Sequence, residues 1–125
     1  MPYKKILSFI LLSLFIFPNL SISKELATWG FVGSKCNQTI KVANEFGRTG
    51  KDALGYSIQG FLTGYNSHVM LMDLQRKSSI KAKVINKFSI KKVTDILIGK
   101  CIANPTKATY VALIEIWRTF PDARY

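Results

Sequence analysis

The chain has 125 residues and a formal net charge of +11, with 18 Lys and Arg against seven Asp and Glu, two cysteines and one histidine. This length provides for one modest hydrophobic core, so a single domain is predicted. Two cysteines and one histidine at unrelated spacings are too few ligands for a structural metal site. The sequence also lacks a phosphate-binding glycine loop and a nucleophile motif.

The first 23 residues have the three-part layout of a secretory signal peptide. Two lysines precede an apolar run over residues 6–17, and small serines follow that run. An uncleaved anchor is the alternative, but a membrane-spanning helix needs about 20 apolar residues and a proline directly follows this run. We expect cleavage after Ser23 and export to the periplasm or outside the cell. The mature domain is then residues 24–125, with a formal net charge of +9 and no integral membrane span.

The two cysteines, Cys36 and Cys101, both lie in the exported part of the chain. An oxidising compartment and an even cysteine count favour a disulfide between them, as a structural staple rather than a redox centre. The bond would close a loop of about 66 residues, for which the chain-entropy model gives roughly 4 kcal/mol of stabilisation. That is comparable with the whole net stability of a small domain.

Apolar and small residues at spacings of three and four predict a first helix from Ser34 to Phe46, with Ser34 as its cap. A second helix is predicted from Asp52 to Val69, with Asp52 as its N-cap. The residues on its broad apolar face are Leu54, Ile58, Phe61, Leu62, Tyr65 and Val69.

Gly60 and Gly64 lie one turn apart in this second helix. A glycine inside a helix costs up to about 1 kcal/mol relative to alanine. Close approach of another helix would offset that cost, so we predict that both glycines pack against a neighbouring helix. A ligand lying in the groove would also explain them, but helix packing suffices and no cofactor is predicted.

Residues 70–88 have weak periodicity and are predicted to form a long connection with a short helical turn near residues 70–76. Seven basic residues and no acidic residue lie between Arg76 and Lys92. Such a run suits an acidic protein, an anionic membrane surface or nucleic acid, and it also suits a solvated connection. Nucleic acid is disfavoured because aromatic residues are not interleaved with the charges. The candidate partner contacts are Lys81, Lys83 and Lys87.

Two more helices complete the prediction, one from Ser89 to Cys101 and one from Pro105 to about Phe120, the second opened by Asn104 and Pro105. The last helix is apolar on most sides and is expected to be the most buried. Trp29 and Trp117 are interpreted as core anchors, and residues 122–125 as a frayed tail. The predicted fold is all-α, a small disulfide-stapled bundle of about four helices.

His68 is the only histidine, and no carboxylate lies within one helical turn of it. It is therefore predicted to be a surface or capping residue rather than a general base. The seven carboxylates are scattered, with no paired spacing suited to general acid and base catalysis. We predict no catalytic residue and no enzyme activity.

The chain resembles two groups of small bacterial exported proteins over the part from Cys36 to Trp117. The similarity lies in the early cysteine, the glycine-punctuated helix GYSIQGFLTGYN at residues 55–66, and the element CIANP at residues 101–105 that opens a closing apolar helix. One group is the HdeA/HdeB acid-stress chaperones. The other is the immunity proteins that neutralise type VI amidase effectors.

The resemblance to HdeA implies a periplasmic, non-enzymatic domain that binds an unfolded client or a protein partner. It also implies that the protein forms a homodimer at neutral pH. The binding surface is expected on an apolar face between the glycine-containing helix and the last helix. The resemblance to immunity proteins implies the alternative function, an inhibitor that blocks one specific secreted hydrolase. In that case the basic segment around Lys83 would be the natural contact for an acidic effector.

Overall fold

The computed structural model describes residues 31–125, and the predicted signal peptide, its cleavage site and Trp29 lie outside the described residues. The described chain begins with a 3-10 turn at Phe31–Gly33, and its four α-helices are α1 (Cys36–Glu45), α2 (Gly47–Leu74), α3 (Ile90–Ala103) and α4 (Thr109–Arg118). A disulfide joins Cys36 at the start of α1 to Cys101 near the end of α3. The predicted all-α, disulfide-stapled bundle is confirmed. None of these helices is long and apolar enough to cross a membrane.

One hydrophobic core lies between the four helices. Each helix contributes side chains that recur at helical spacing on one of its faces. Trp117 is 1% exposed, which confirms it as a core anchor. The largest fully buried apolar side chains are Trp117, Leu54, Ile58, Leu97, Leu113 and Ile116.

The 28-residue helix α2 extends beyond its predicted bounds at both ends. Only Phe46 separates it from α1, so Asp52 lies inside the helix and is not its N-cap. At its other end α2 continues to Leu74, where a separate short turn was predicted. The joint between α1 and α2 explains the early start: Gly47 has φ +51, a left-handed conformation that glycine adopts without strain.

The same joint requires a second glycine. The amide of Gly50 donates to the Phe46 carbonyl at 3.2 Å. A Cβ built on Gly50 would overlap the carbonyl oxygen of Val42. The backbones of α1 and α2 therefore approach at a distance that only glycine permits.

Gly60 and Gly64 do not have the packing role predicted for them. Both are exposed, and a Cβ built on either would meet no atom of the described chain within 4 Å. The predicted contact with another helix of the same chain is wrong, because the core face of α2 is the opposite face. The glycine that faces a neighbouring helix is Gly55, whose added Cβ would lie 3.6 Å from Thr94 Oγ1 of α3.

Two predicted helix starts are displaced by pairing between distant segments. The Thr109 amide donates to the Ser34 carbonyl at 2.9 Å, and the Cys36 amide donates to the Lys107 carbonyl at 2.8 Å. These bonds hold the chain before α4 against the chain before α1. Consequently α4 begins at Thr109 rather than Pro105, and Lys35 rather than Ser34 is the N-cap residue of α1.

The prediction of a frayed tail at residues 122–125 is also wrong. Lys83 and Asp122 form an isolated antiparallel β-bridge. The Val84 amide donates to the Pro121 carbonyl at 2.9 Å, and the Ala123 amide donates to the Ala82 carbonyl at 2.8 Å. The tail is therefore paired with the connection between α2 and α3, where Ala82 is buried.

Candidate functional site

Beyond its first two turns, the solvent side of α2 carries no Asp, Glu, Lys or Arg side chain up to Met72. Residues 53–72 are twenty consecutive positions without Asp, Glu, Lys or Arg, in a chain with 25 such residues. We call the exposed positions of this stretch and of the last turn the outer face of α2. They are Ala53, Tyr56, Ser57, Gln59, Gly60, Thr63, Gly64, Ser67, His68, Met70, Leu71 and Leu74.

The outer face combines a smooth centre with large apolar side chains toward its ends. Tyr56 is 77% exposed, Leu71 51% and Leu74 61%. Between them Gly60 and Gly64 present backbone without any side chain above it. Scattered single hydrophobic residues on a surface are ordinary, but a contiguous uncharged face on one helix is typical of an interaction site.

The opposite side of α2 holds the connection through Asn66. The Asn66 Oδ1 atom accepts hydrogen bonds from the Lys83 amide at 2.6 Å and from Trp117 Nε1 at 3.0 Å. Its Nδ2 atom donates to the Lys83 carbonyl at 3.0 Å. One side-chain amide thus pairs with both backbone groups of Lys83, as a neighbouring β-strand would. A polar residue between the predicted core positions of α2 was the only signal of this role in the sequence.

A second cluster lies two helical turns further along α2, at Asp73. Its Oδ2 atom accepts from Lys81 Nζ at 2.8 Å and from the Tyr125 hydroxyl at 2.7 Å. The bond from Lys81, reinforced by that from Tyr125, lowers the pKa of Asp73 below its usual value. The same contacts raise the pKa values of Lys81 and Tyr125. One half-buried carboxylate therefore ties the end of α2 to the connection and to the C-terminus.

The three lysines predicted as partner contacts occupy different environments. Lys81 pairs with Asp73, and Lys83 pairs with Asp122 and lies 5.4 Å from the centroid of the Trp117 ring. Lys87 is exposed. Two of the three lysines thus contribute to the fold, and their part in binding a partner stays a prediction.

Two grooves lie beside α2. One, of about 620 Å³, is open between the first half of α2 and the start of α3, and its lining mixes Arg48, Lys51 and Lys91 with Asp52 and Asp95. Lys91 bonds to Asp95 at 2.8 Å and lowers the pKa of that carboxyl. The second, of about 440 Å³, is mainly apolar. It lies where the connection and Phe120 meet α2 and α3, and the rings of Phe88 and Phe120 stack there.

The predicted apolar face between α2 and the last helix is not open. Leu62 and Trp117 are buried there, and the ring of Tyr65 meets that of Trp117 edge to face at 4.9 Å between centroids. His68 is exposed on α2. Within residues 31–125 no three His, Cys, Asp or Glu side chains lie together as a metal site would require.

Comparison with protein-family models, with curated proteins and with solved structures finds no match for this chain.

Proposed function

We propose that this protein is an exported, non-enzymatic protein-binding domain of the HdeA-like type, which holds an unfolded client or a protein partner on the outer face of α2. The observation that carries the proposal is the uncharged, exposed surface of that helix in a strongly basic chain. Unfolded segments expose apolar side chains, and Tyr56 and Leu71 offer apolar contact area without a charge that would have to be desolvated.

The tail supplies a physical route to a response in acid. Asp73 has a lowered pKa, so its bonds to Lys81 and Tyr125 persist as pH falls through the usual carboxylate range and are lost when Asp73 finally protonates. Lys81 and Tyr125 are then freed from α2, which loosens the connection that borders the apolar groove lined by Leu62 and Phe120.

The test measures how well the protein, isolated from the cell in its exported form, suppresses light scattering by an acid-unfolded alcohol dehydrogenase. Tyr56→Glu combined with Leu71→Glu should abolish suppression, because two charges then lie on the outer face. The matched control is Ile102→Glu combined with Tyr110→Glu, two exposed apolar positions on α3 and α4 that undergo the same change of charge.

Suppression by the control and not by the outer-face variant would support the proposal. Equal suppression by both variants, or no suppression by the native protein between pH 7 and pH 2, would contradict it. Light scattering of the protein alone over the same range reports whether it is a homodimer that dissociates in acid.

The alternative function, inhibition of one secreted hydrolase, depends on a different surface. Lys87 is exposed in the basic segment and suits an acidic enzyme surface. Lys87→Glu should then weaken binding to that hydrolase while leaving the suppression of client aggregation unchanged, and unchanged affinity would contradict this alternative.

A further inference from the structure

The C-terminal end of α2 carries a group of exposed cations and apolar side chains that the core does not explain. The chain turns there through Arg76, which has φ +57, and residues 74–77 and 79–81 are exposed. The C-terminal residues reach the same place, because Tyr125 and Lys81 share the carboxylate of Asp73. We call this surface the α2-end patch. Its members are Leu74, Arg76, Lys77, Ile80, Arg124 and Tyr125.

The patch combines apolar tips with cations. Leu74, Ile80 and Tyr125 are all more than half exposed. Arg76, Lys77 and Arg124 are exposed and form no ion pair with the described chain. The adjoining carboxylates are neutralised within the fold, Asp73 by Lys81 and Asp122 by Lys83. The side chains of the α2-end patch therefore carry a net positive charge.

We propose that the α2-end patch docks the protein on an anionic lipid bilayer. A bilayer surface presents dense negative charge to Lys and Arg, while its interfacial region accepts leucine, isoleucine and the amphipathic ring of tyrosine. The patch has this combination. A nucleic acid would need several aromatic rings for stacking, and the patch has one. An acidic protein would bind the cations but would not require the exposed apolar side chains to enter a hydrocarbon boundary.

The geometry permits docking without unfolding. The polar clusters at Asn66 and Asp73 fix the connection and the tail to α2, so the apolar and cationic side chains of the patch are held on one end of the bundle. Contact with the bilayer leaves the middle of the outer face of α2 uncovered, and Leu74 is the one residue that both surfaces include.

The experiment is flotation of the exported form of the protein with vesicles of phosphatidylcholine containing one-quarter phosphatidylglycerol, and with vesicles of phosphatidylcholine alone. The native protein should float only with the anionic vesicles, and 0.5 M NaCl should weaken that binding. Arg76→Asn combined with Lys77→Gln should weaken it roughly 25-fold, since each cation near an anionic surface contributes a factor of about five. Asparagine is chosen because it tolerates the positive φ of position 76.

The control is Arg48→Gln combined with Lys51→Gln, which removes the same charge from the other end of α2. This variant should bind almost as well as the native protein. Leu74→Ser leaves the charge unchanged and should still reduce flotation severalfold, because an apolar tip is lost. Circular dichroism confirms that each variant remains folded.

Equal losses in the two charge variants would show that net charge alone drives binding and would overturn the proposal. Equal flotation with neutral vesicles would overturn it too. If Leu74→Ser floats as well as the native protein and still binds heparin or an acidic protein through Arg76 and Lys77, the patch would be assigned to a soluble polyanion instead. None of these outcomes depends on the suppression of client aggregation, so this proposal and the proposed function fail independently.

Discussion

The two ends of α4 are held by different chemistry. Its first residue, Thr109, lies at the cysteine end, which we define as the Cys36–Cys101 disulfide, the buried hydrogen bond of 3.0 Å between the hydroxyls of Thr39 and Thr109, and the turn at residues 104–108. Its last turn lies at the tail end, which consists of Asn66, Asp73, the connection at 82–84 and the C-terminal residues. The first is held by a disulfide and a neutral hydroxyl pair, with one ion pair between Lys107 and Glu115 beside them. The second is held by the Asn66 amide together with ion pairs of two carboxylates, Asp73 and Asp122.

This difference indicates which end of the bundle should open in acid and which should be weakened by a reductant. A disulfide and a hydroxyl pair do not titrate in acid, so the cysteine end should persist from neutral pH to pH 2. The tail end loses the bonds of Asp73 to Lys81 and Tyr125 as that carboxylate protonates. Acid should therefore open one end of the bundle and leave the other closed, whereas a reductant should act on the opposite end.

The largest effect is expected at the cysteine end. Replacement of both cysteines, Cys36→Ala with Cys101→Ala, should lower the free energy of unfolding by roughly 4 kcal/mol, because the unfolded chain is no longer constrained by a long loop. Urea denaturation followed by circular dichroism measures it. The native protein in dithiothreitol is the control and should match the double variant. Equal stability with and without the bond would contradict the structural role of the disulfide.

A smaller loss is expected at the tail end from Asn66→Ala. The Trp117 indole and the Lys83 backbone then lack their partner, and unpaired polar groups in this half-buried setting should lower the free energy of unfolding by about 2 to 3 kcal/mol. Hydrogen exchange should show lost protection at the Val84 and Ala123 amides and little change at the Cys36 amide.

Ser67→Ala is the matched control for that variant, since Ser67 is the exposed neighbour of Asn66 and bonds only within its own helix, to the Thr63 carbonyl. Its stability should stay near that of the native protein. If protection fell equally at both ends in Asn66→Ala, the two ends would be one cooperative unit and the comparison would fail.

The two ends also differ in how far the sequence predicts them. Cysteine count and compartment were sufficient for the Cys36–Cys101 pair, and Asn104 with Pro105 marked the break between the last two helices. The tail end was mispredicted because its contacts join residues far apart in sequence, as Lys83 and Asp122 are. Neither residue belongs to a periodic pattern, so no local signal distinguishes a paired tail from a frayed one.

The same limit applies to the candidate surface. Periodicity correctly placed Leu54 and Ile58 in the core. Gly60 and Gly64 were assigned to packing because their cost suggested a neighbour. Only the three-dimensional arrangement shows that the core lies on the other side and that these glycines face outward.

The pH dependence of stability should separate the ends next. Asp73 has a lowered pKa, so the stability it contributes is present above its unfolded value near 4 and is lost as pH falls through its folded value. The urea midpoint of the native protein should fall between about pH 5 and pH 2. The urea midpoint of Asp73→Asn should be lower than that of the native protein at neutral pH and should depend less on pH.

Glu45→Gln serves as the control for this titration. Glu45 lies 3.8 Å from Lys41 in an exposed pair of α1, and such pairs contribute little. Its pH profile should follow that of the native protein. An Asp73→Asn profile as steep as the native one would place the acid sensitivity elsewhere, with Glu115 as the next carboxyl because Lys107 and Lys100 lower its pKa.

The smallest change in stability is expected between the two ends, on the outer face of α2. Gly60→Ala and Gly64→Ala should each raise the free energy of unfolding by up to about 1 kcal/mol, because alanine favours the helix and nothing in the described chain obstructs the added methyl group. Gly50→Ala, at the joint with α1, should have the opposite sign, since its methyl group would overlap the Val42 carbonyl. Thermal unfolding of the three variants measures both directions.

These glycine variants also test whether the outer face of α2 contacts a client. If a client backbone approaches α2 closely at Gly60 and Gly64, the more stable alanine variants should suppress client aggregation less well than the native protein. Gains in stability with undiminished suppression would confine client contacts to Tyr56 and Leu71. A loss of stability in the Gly60 or Gly64 variants would show that a second chain already covers this face in solution, because alanine can destabilise an exposed helix only where something packs against it.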